Sequence, residues 1–470
     1  MVTLILLLAI GALARLKSSF RFVTPAEVGA SYQTLYFTEK LDHINGDPGI
    51  INIKVLLKQG HPNSPLFVYV GGEAPIEVFY TATGILVGYY GPKYNATIAF
   101  IEHRYYGESI PNTYSYKYLS TDQALWDFAD IVSQLKPQNN TPVVAFGGSY
   151  AGMLSAFFRI KYPHLVDGAI ASSAPLLMYL DTDGSSFSHI ASMDYFLVDR
   201  NCMGNVFDGF NILDNFIDRP LQYPALELIF KTCNSIDEMS DVMALEDFLT
   251  DAFQTMAQFN YPYPYNIAGT LPAFPVNVSC SIMSQHTQTE NMWTTLQGLA
   301  LIADIFYNST GQTTCFDTYY DSSMQADPWT YQTCTELLMP YGQYGLPNDM
   351  FPKRPWSFTQ FSQQCMQTFG VSPRLDWEPV NYGMTANVNS TLRYASNIVF
   401  SQGVMDPWSG GCIQDEINAN TLVIKISKAA HCFDLKSPSP RDPQSLILAR
   451  QQEEILINQW IGSKLAMLDR

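Results

Sequence analysis

The chain has 470 residues, 47% of them apolar and 15% charged, with a net charge of −17; this is a globular composition that excludes a disordered chain. The acidic surface repels phosphates and anionic membranes, so neither nucleic acid nor a membrane is an expected partner. The length predicts two or three domains, or one domain carrying a large insertion.

In chain order, Met1 to Ala14 is a short apolar run ending in Ala12-Leu13-Ala14, and it reads as a signal peptide over residues 1–14. No later stretch of about 18 apolar residues suggests a transmembrane helix. Residues 15–65 read as a polar, mixed lead-in. Short apolar runs at 66–70, 97–102, 142–146 and 168–172, several of them bounded by glycines, read as buried parallel strands. Helical spacing marks 122–135, with Ser120 or Thr121 as cap, and 151–161, which stops before Pro163. Strand runs then vanish from 178 to 390, a segment rich in Asp, Asn, Tyr and Met that holds six of the eight cysteines. They return at 397–402 and 421–426, and an amphipathic helix over 443–461 closes the chain. Alternating strands and helices mean an α/β domain with a mostly parallel sheet. Its two parts, 15–177 and 391–470, are split by a mainly helical, disulfide-braced cap over 178–390.

The leader predicts an oxidising compartment, secreted or lysosomal, and therefore disulfides. Five glycosylation sequons, at Asn95, Asn139, Asn277, Asn308 and Asn389, agree with export. No Cys-x-x-Cys clip is present, so no metal is expected.

The run Val144-Ala-Phe-Gly-Gly-Ser149-Tyr-Ala-Gly152 lies between a predicted strand and a predicted helix, where a nucleophile elbow belongs. Gly147 and Ala151 are small enough for so sharp a turn. The elbow exposes the Ser149 hydroxyl and aims the backbone N–H of Tyr150 at a developing oxyanion; Gly72 and Glu73, in the loop after an earlier strand, supply the second donor. In an α/β-hydrolase fold an acid and then a histidine follow, each after a strand. Of seven histidines only His431 lies between the last strand and the last helix, and Asp406 occupies the turn after the strand before it. Ser149, Asp406 and His431 are thus the predicted nucleophile, acid and base of acyl transfer.

These residues resemble the prolyl carboxypeptidase and dipeptidyl peptidase II family of serine exopeptidases, over about residues 36 to 460. The matching runs include Leu41-Asp-His43, Glu102-His-Arg-Tyr-Tyr-Gly-Glu-Ser109, Gly147-Gly-Ser-Tyr150, Tyr331-Gln-Thr-Cys-Thr-Glu336 and Asp406-Pro-Trp-Ser-Gly-Gly411. The resemblance implies peptide substrates with proline near a terminus, a helical cap, activity in an acidic compartment, no cofactor and a tendency to form a homodimer. One branch of the family releases a C-terminal residue after proline; the other removes an N-terminal dipeptide. A proline pocket needs apolar and aromatic walls. Trp329, Tyr331, Met339 and Trp408 are candidates, with the aromatic run 259–265, although the aromatic density of the cap serves equally well as cap core.

The chain departs from the family around the base, where Ala430-His431-Cys432-Phe-Asp-Leu-Lys436 carries a cysteine and a lysine in place of the usual second histidine and arginine. The acid loop also gains Cys412, so a Cys412–Cys432 disulfide joining the two loops is expected, with two free thiols as the alternative. Lys436 is the candidate anchor for a substrate carboxylate, and Glu73 and Glu336 are the candidate anchors for a substrate amine. Thr330 stands where the aminopeptidase branch has Asp, which favours carboxypeptidase over dipeptidyl peptidase activity. An inactive hydrolase-fold binding protein and an esterase are the remoter alternatives.

Overall fold

The computed structural model describes residues 32–466 apart from 47, 114, 267–269, 288–290, 319–323 and 325; the expected leader over 1–14 lies outside the described residues. Eight strands form one sheet: β1 (Gln33–Lys40), β2 (Ile50–Lys58), β3 (Leu66–Val70), β4 (Thr97–Ile101), β5 (Val143–Gly148), β6 (Gly168–Ser172), β7 (Ile398–Gly403) and β8 (Thr421–Ile426). Their spatial order is β1-β2-β4-β3-β5-β6-β7-β8. The pairs β1–β2 and β2–β4 are antiparallel, and all others are parallel. Every residue of β3, β5, β6 and β7 is buried, as expected of strands covered by helices on both faces.

The lead-in over 15–65 contains two strands that the polar reading passes over. β1 is an edge strand with only Glu39 buried, so its composition carries little apolar signal. β2 is well buried, but Lys54 interrupts its apolar pattern; that ammonium is paired with both Glu77 and Glu108.

Helix α1 (Thr121–Leu135) is capped by Ser120, whose hydroxyl accepts from the Gln123 N–H. Helix α2 (Tyr150–Lys161) starts directly after the elbow. Between β6 and β7 lie α3 (Ser185–Val198), α4 (Arg200–Asp214), α5 (Met239–Gln258), α6 (Pro275–Gln285), α7 (Met292–Tyr307), α8 (Pro328–Thr335) and α9 (Phe358–Phe369). This helical cap has its own apolar core, which includes Val206, Leu245, Phe253 and Leu299. Three disulfides brace it: Cys202–Cys280, Cys233–Cys315 and Cys334–Cys365. The last helix, α10, runs over Gln444–Ala466. Among the described residues no helix is long and apolar enough to cross a membrane.

Candidate active site

The strand end β5 and the helix start α2 force Ser149 into the left-handed region, at φ 60° and ψ −131°. A non-glycine residue there costs on the order of 1–3 kcal/mol and persists only where its surroundings hold it. They do: its N–H donates to Ser172 O (2.9 Å) and its carbonyl accepts the Met153 N–H (3.1 Å). Gly147 is required by the same turn, because a Cβ there would lie 1.9 Å from Ala151 O. Ser149 itself remains partly exposed.

The acid and base loops follow adjacent strands and are joined by the Met405 N–H to Ala429 O bond (3.0 Å). Asp406 is 0% exposed and His431 is 5% exposed. Imidazole Nδ1 lies 3.0 Å from Asp406 Oδ1 and 2.9 Å from Oδ2, and Oδ1 also accepts the Trp408 N–H. Burial works against a charged imidazole, but the Asp406 carboxylate, with help from Cys432, holds its pKa well above the usual histidine value.

Several residues that the sequence reading missed fix this base loop. The His431 N–H donates to Gln258 O, at the end of α5, and its carbonyl accepts the Tyr261 hydroxyl. Asp434 accepts from Ser172 and Ser401, at the ends of β6 and β7. Arg450, on α10, donates to the carbonyls of Phe433, Asp434 and Lys436. The only prior signal was position, since Asp434 and Lys436 stand in the run that follows His431.

Of the expected oxyanion donors, Tyr150 opens α2 and Gly72 packs close to it. Gly72, just after β3, lies against the start of α2: a Cβ there would be 3.3 Å from Ala151 N. Glu73 follows it, with carboxylate Oε2 enclosed and unpartnered. Burial holds that acid above the usual range, and the His431 charge opposes the rise.

Trp329, Met339 and Trp408 join Tyr150 in one apolar cluster with Met178 and Phe187, and the Trp329 ring meets the Tyr150 ring edge-on at 5.2 Å. Tyr331 is not brought to this group; it packs on Tyr116 and Phe369 instead. Of the aromatic run, Tyr261 is wholly buried, packs edge-on against Tyr265 and at a tilt against Phe433, and donates to the His431 carbonyl, so it serves as core. Lys436 is mostly buried, with Nζ donating to the Tyr265 hydroxyl (2.9 Å) over the Tyr261 and Tyr265 rings. It is an occupied cation rather than an open carboxylate anchor. Glu336 is 2% exposed, and its Oε1 is taken by Thr121 and Gln332, so it offers no amine anchor in the cleft.

The expected Cys412–Cys432 bridge is absent: both are free thiols. Each sulfur turns to a carbonyl instead, Cys412 to Trp408 O and Cys432 to Ser172 O. The sequon asparagines Asn95, Asn139, Asn277 and Asn389 are exposed, whereas Asn308 is partly buried and accepts the Thr313 N–H.

The Glu102–Ser109 signature run is framework beneath the elbow. Glu102 accepts the backbone N–H groups of Ile76, Glu108 and Ser109. Arg104, wholly buried, forms a two-pronged pair with Asp127 and donates to the carbonyls of Leu41, Tyr118 and Lys40. Glu39 on β1, His43 in the turn after it and Asp130 on α1 place ligating atoms within 4.8 Å of one another, with His43 Nε2 already bonded to Asp127.

Residues 54–453 match the family model described as serine carboxypeptidase S28. The chain is 34% identical over 458 residues to a Pongo abelii protein named Lysosomal Pro-X carboxypeptidase, spanning 92% of this chain and 89% of that one. The human protein of the same name is 33% identical over 455 residues, with 92% and 89% covered. A Caenorhabditis elegans protein named Prolyl carboxy peptidase like protein 5 is 34% identical over 427 residues, with 85% and 83% covered.

Proposed function

The chain belongs to the serine carboxypeptidase S28 family of serine-type peptidases, and on that premise we propose that it releases a C-terminal residue that follows proline, through an acyl-enzyme on Ser149. The observations that support this reading are a strained Ser149 elbow, packed against the base loop where a Cβ on Gly148 would lie 2.8 Å from Cys432 Sγ, and the buried Asp406–His431 pair in that loop. Nδ1–H donates to the carboxylate, so Nε2 is free to accept the Ser149 proton as the hydroxyl oxygen attacks the scissile carbonyl. The carbonyl π electrons move to oxygen, and the oxyanion meets the N–H of Tyr150 and the Gly72–Glu73 turn. The C–N bond then breaks, with the imidazolium returning the proton to the leaving amine. Water repeats the sequence on the ester and restores Ser149.

Trp329, Met339 and Trp408 are proposed as walls of the proline pocket; the Trp329 ring packs edge-on against Tyr150, the residue after Ser149, and the Trp408 N–H donates to Asp406. The choice of carboxypeptidase rests on the relatives named Pro-X carboxypeptidase and on Thr330, whose hydroxyl is bonded to Asp327 where an amine-binding acid would stand in the other branch. The second reading, removal of an N-terminal dipeptide, is favoured by the buried Glu73 carboxylate, whose Oε2 has no partner and which feels the His431 charge. Three disulfides suit a secreted or lysosomal protein. The test offers purified protein an N-blocked peptide ending in Pro-Phe and a free peptide beginning Lys-Pro, with Ser149→Ala as control. Release of Phe alone supports the carboxypeptidase; release of Lys-Pro overturns it in favour of the dipeptidyl reading.

A further inference from the structure

Glu39 is the one buried residue of β1, and its Oε1 accepts from Gln134 Nε2 on α1 (3.4 Å). Asp127, Asp130 and Gln134 recur on α1 at i, i+3 and i+7, which puts all three on one helix face. That face meets Glu39 and His43, so three carboxylates gather where the helix packs on the edge strand. Arg104 offsets only one of them, because its guanidinium is taken up by the two-pronged pair with Asp127. No lysine or arginine pairs with Glu39 or Asp130 among the described residues. Burial, with Asp127 and Asp130 adding to it, lifts the Glu39 carboxyl to about 8, in keeping with this excess of negative charge.

The proton positions on His43 follow from its partners. Both Asp127 oxygens accept from the Arg104 guanidinium, which holds Asp127 as the carboxylate, so the 2.8 Å contact to His43 Nε2 is an N–H donating to Oδ1. In the neutral ring Nδ1 is then a bare lone pair. It makes no hydrogen bond among the described residues; Asp130 Oδ2 lies 3.9 Å from it, beyond hydrogen-bond reach. The ring is 3% exposed. A buried imidazole that donates through one nitrogen to a carboxylate, and turns the lone pair of the other to a second carboxylate, has the arrangement of a metal-ligating histidine with its supporting acid. One ligating atom each from Glu39, His43 and Asp130 lies within 4.8 Å of the others. Around a tetrahedral ion at about 2.0–2.1 Å such atoms stand about 3.4 Å apart, so the side chains need to draw in by about 1.4 Å or less. Asp130, 47% exposed, has the freedom to do so and leaves one side open to water.

We propose that Glu39, His43 through Nδ1 and Asp130 bind one divalent transition-metal ion of the zinc type, with water completing its coordination. One imidazole nitrogen and two carboxylates suit zinc, whereas calcium and magnesium take oxygen ligands throughout. The lack of a Cys-x-x-Cys clip does not bear on this site, since none of its ligands is a thiolate. The ion ties the edge strand β1 and the turn after it to α1, so its effect is on stability and is independent of the Ser149 chemistry.

The test titrates zinc chloride into the full chain at neutral pH by calorimetry and follows melting with and without it. The native chain should take up one zinc ion at this site, and its melting temperature should rise by about 3 °C when free zinc is about a hundredfold above Kd. Glu39→Gln and Asp130→Asn should each weaken binding by about tenfold or more. Without zinc, Glu39→Gln should melt no lower than the native chain, since the amide keeps an acceptor for Gln134 and carries no charge; this separates loss of a ligand from loss of the fold. Calcium or magnesium at the same concentration should give no shift. Cys432→Ser should bind zinc as the native chain does, which sets the free thiol aside as the ligand. Native affinity in Glu39→Gln or in Asp130→Asn, lost affinity in Cys432→Ser, a calcium shift equal to that of zinc, or no zinc uptake by the folded native chain overturns the proposal.

Discussion

Asp406→Asn tests the base most directly, because the surrounding bonds dictate how the new amide must sit. Asp406 Oδ1 accepts the Trp408 N–H at 3.0 Å, so the carbonyl oxygen of Asn must occupy that side. The NH2 group then takes the Oδ2 position, 2.9 Å from His431 Nδ1. An Nδ1 proton would then face that NH2 and keep only the carbonyl oxygen at 3.0 Å, which already accepts the Trp408 N–H, so the tautomer with its proton on Nε2, the atom that must accept from Ser149, is favoured. The expected loss in kcat is about 10⁴-fold, or about 5.5 kcal/mol of barrier, with KM little changed. Single-turnover kinetics on the cleaved peptide would measure it, with the melting temperature confirming a folded protein. The imidazole also loses the carboxylate that raises its pKa, so whatever activity remains should extend to lower pH. A folded Asp406→Asn enzyme that keeps more than about a tenth of the native kcat would refute this reasoning.

Stability should follow pH through Glu336 as well. Its folded pKa is raised from 4.5 to about 7, so its contribution is full below the unfolded value and is lost as pH rises through about 7, a swing of about 3 kcal/mol. Glu336→Gln should flatten that part of the melting-temperature profile, and an unchanged slope counts against the assignment. Arg104→Lys keeps the charge but loses the two-pronged pair with Asp127 and part of the carbonyl bonding; urea unfolding should show a loss of about 3–5 kcal/mol, and a loss below about 1 kcal/mol would argue against the buried geometry. Alkylation under denaturing, non-reducing conditions should label Cys412 and Cys432 alone among the eight cysteines. Absence of label at both would restore the bridge between the acid and base loops.

The parallel strands were legible because a strand buried on both faces must be continuously apolar, as Leu66–Val70 and Gly168–Ser172 are. β1 and β2 were not, because the edge strand hides little and Lys54 enters the sheet only with two acids beside it. Ser149 was assigned from its elbow motif between a strand and a helix, and Asp406 and His431 from chain order, since each was expected to follow a strand end. Side-chain direction is what sequence does not carry. Tyr331 and Gln332 are neighbours on α8, yet one packs on Phe369 and the other reaches Tyr150. Lys436 likewise stands at the expected point in the chain and is turned into the Tyr261 and Tyr265 rings. The Cys412–Cys432 expectation used loop proximity alone; a disulfide also needs the two Cβ vectors to point at each other.

The insertion of the whole cap between β6 and β7 sets the order in which the enzyme comes into being. Ser149 and its elbow leave the ribosome early, and the residues that make the serine reactive leave last. At about 5–20 residues per second the interval is on the order of tens of seconds. During it the cap can close its three disulfides, all internal to it, while the nascent chain holds a serine with no base. His431 is then seated on Gln258 and Tyr261, residues that the cap supplies. Until that last segment is in place, the proposed Ser149–His431 chemistry lacks its base.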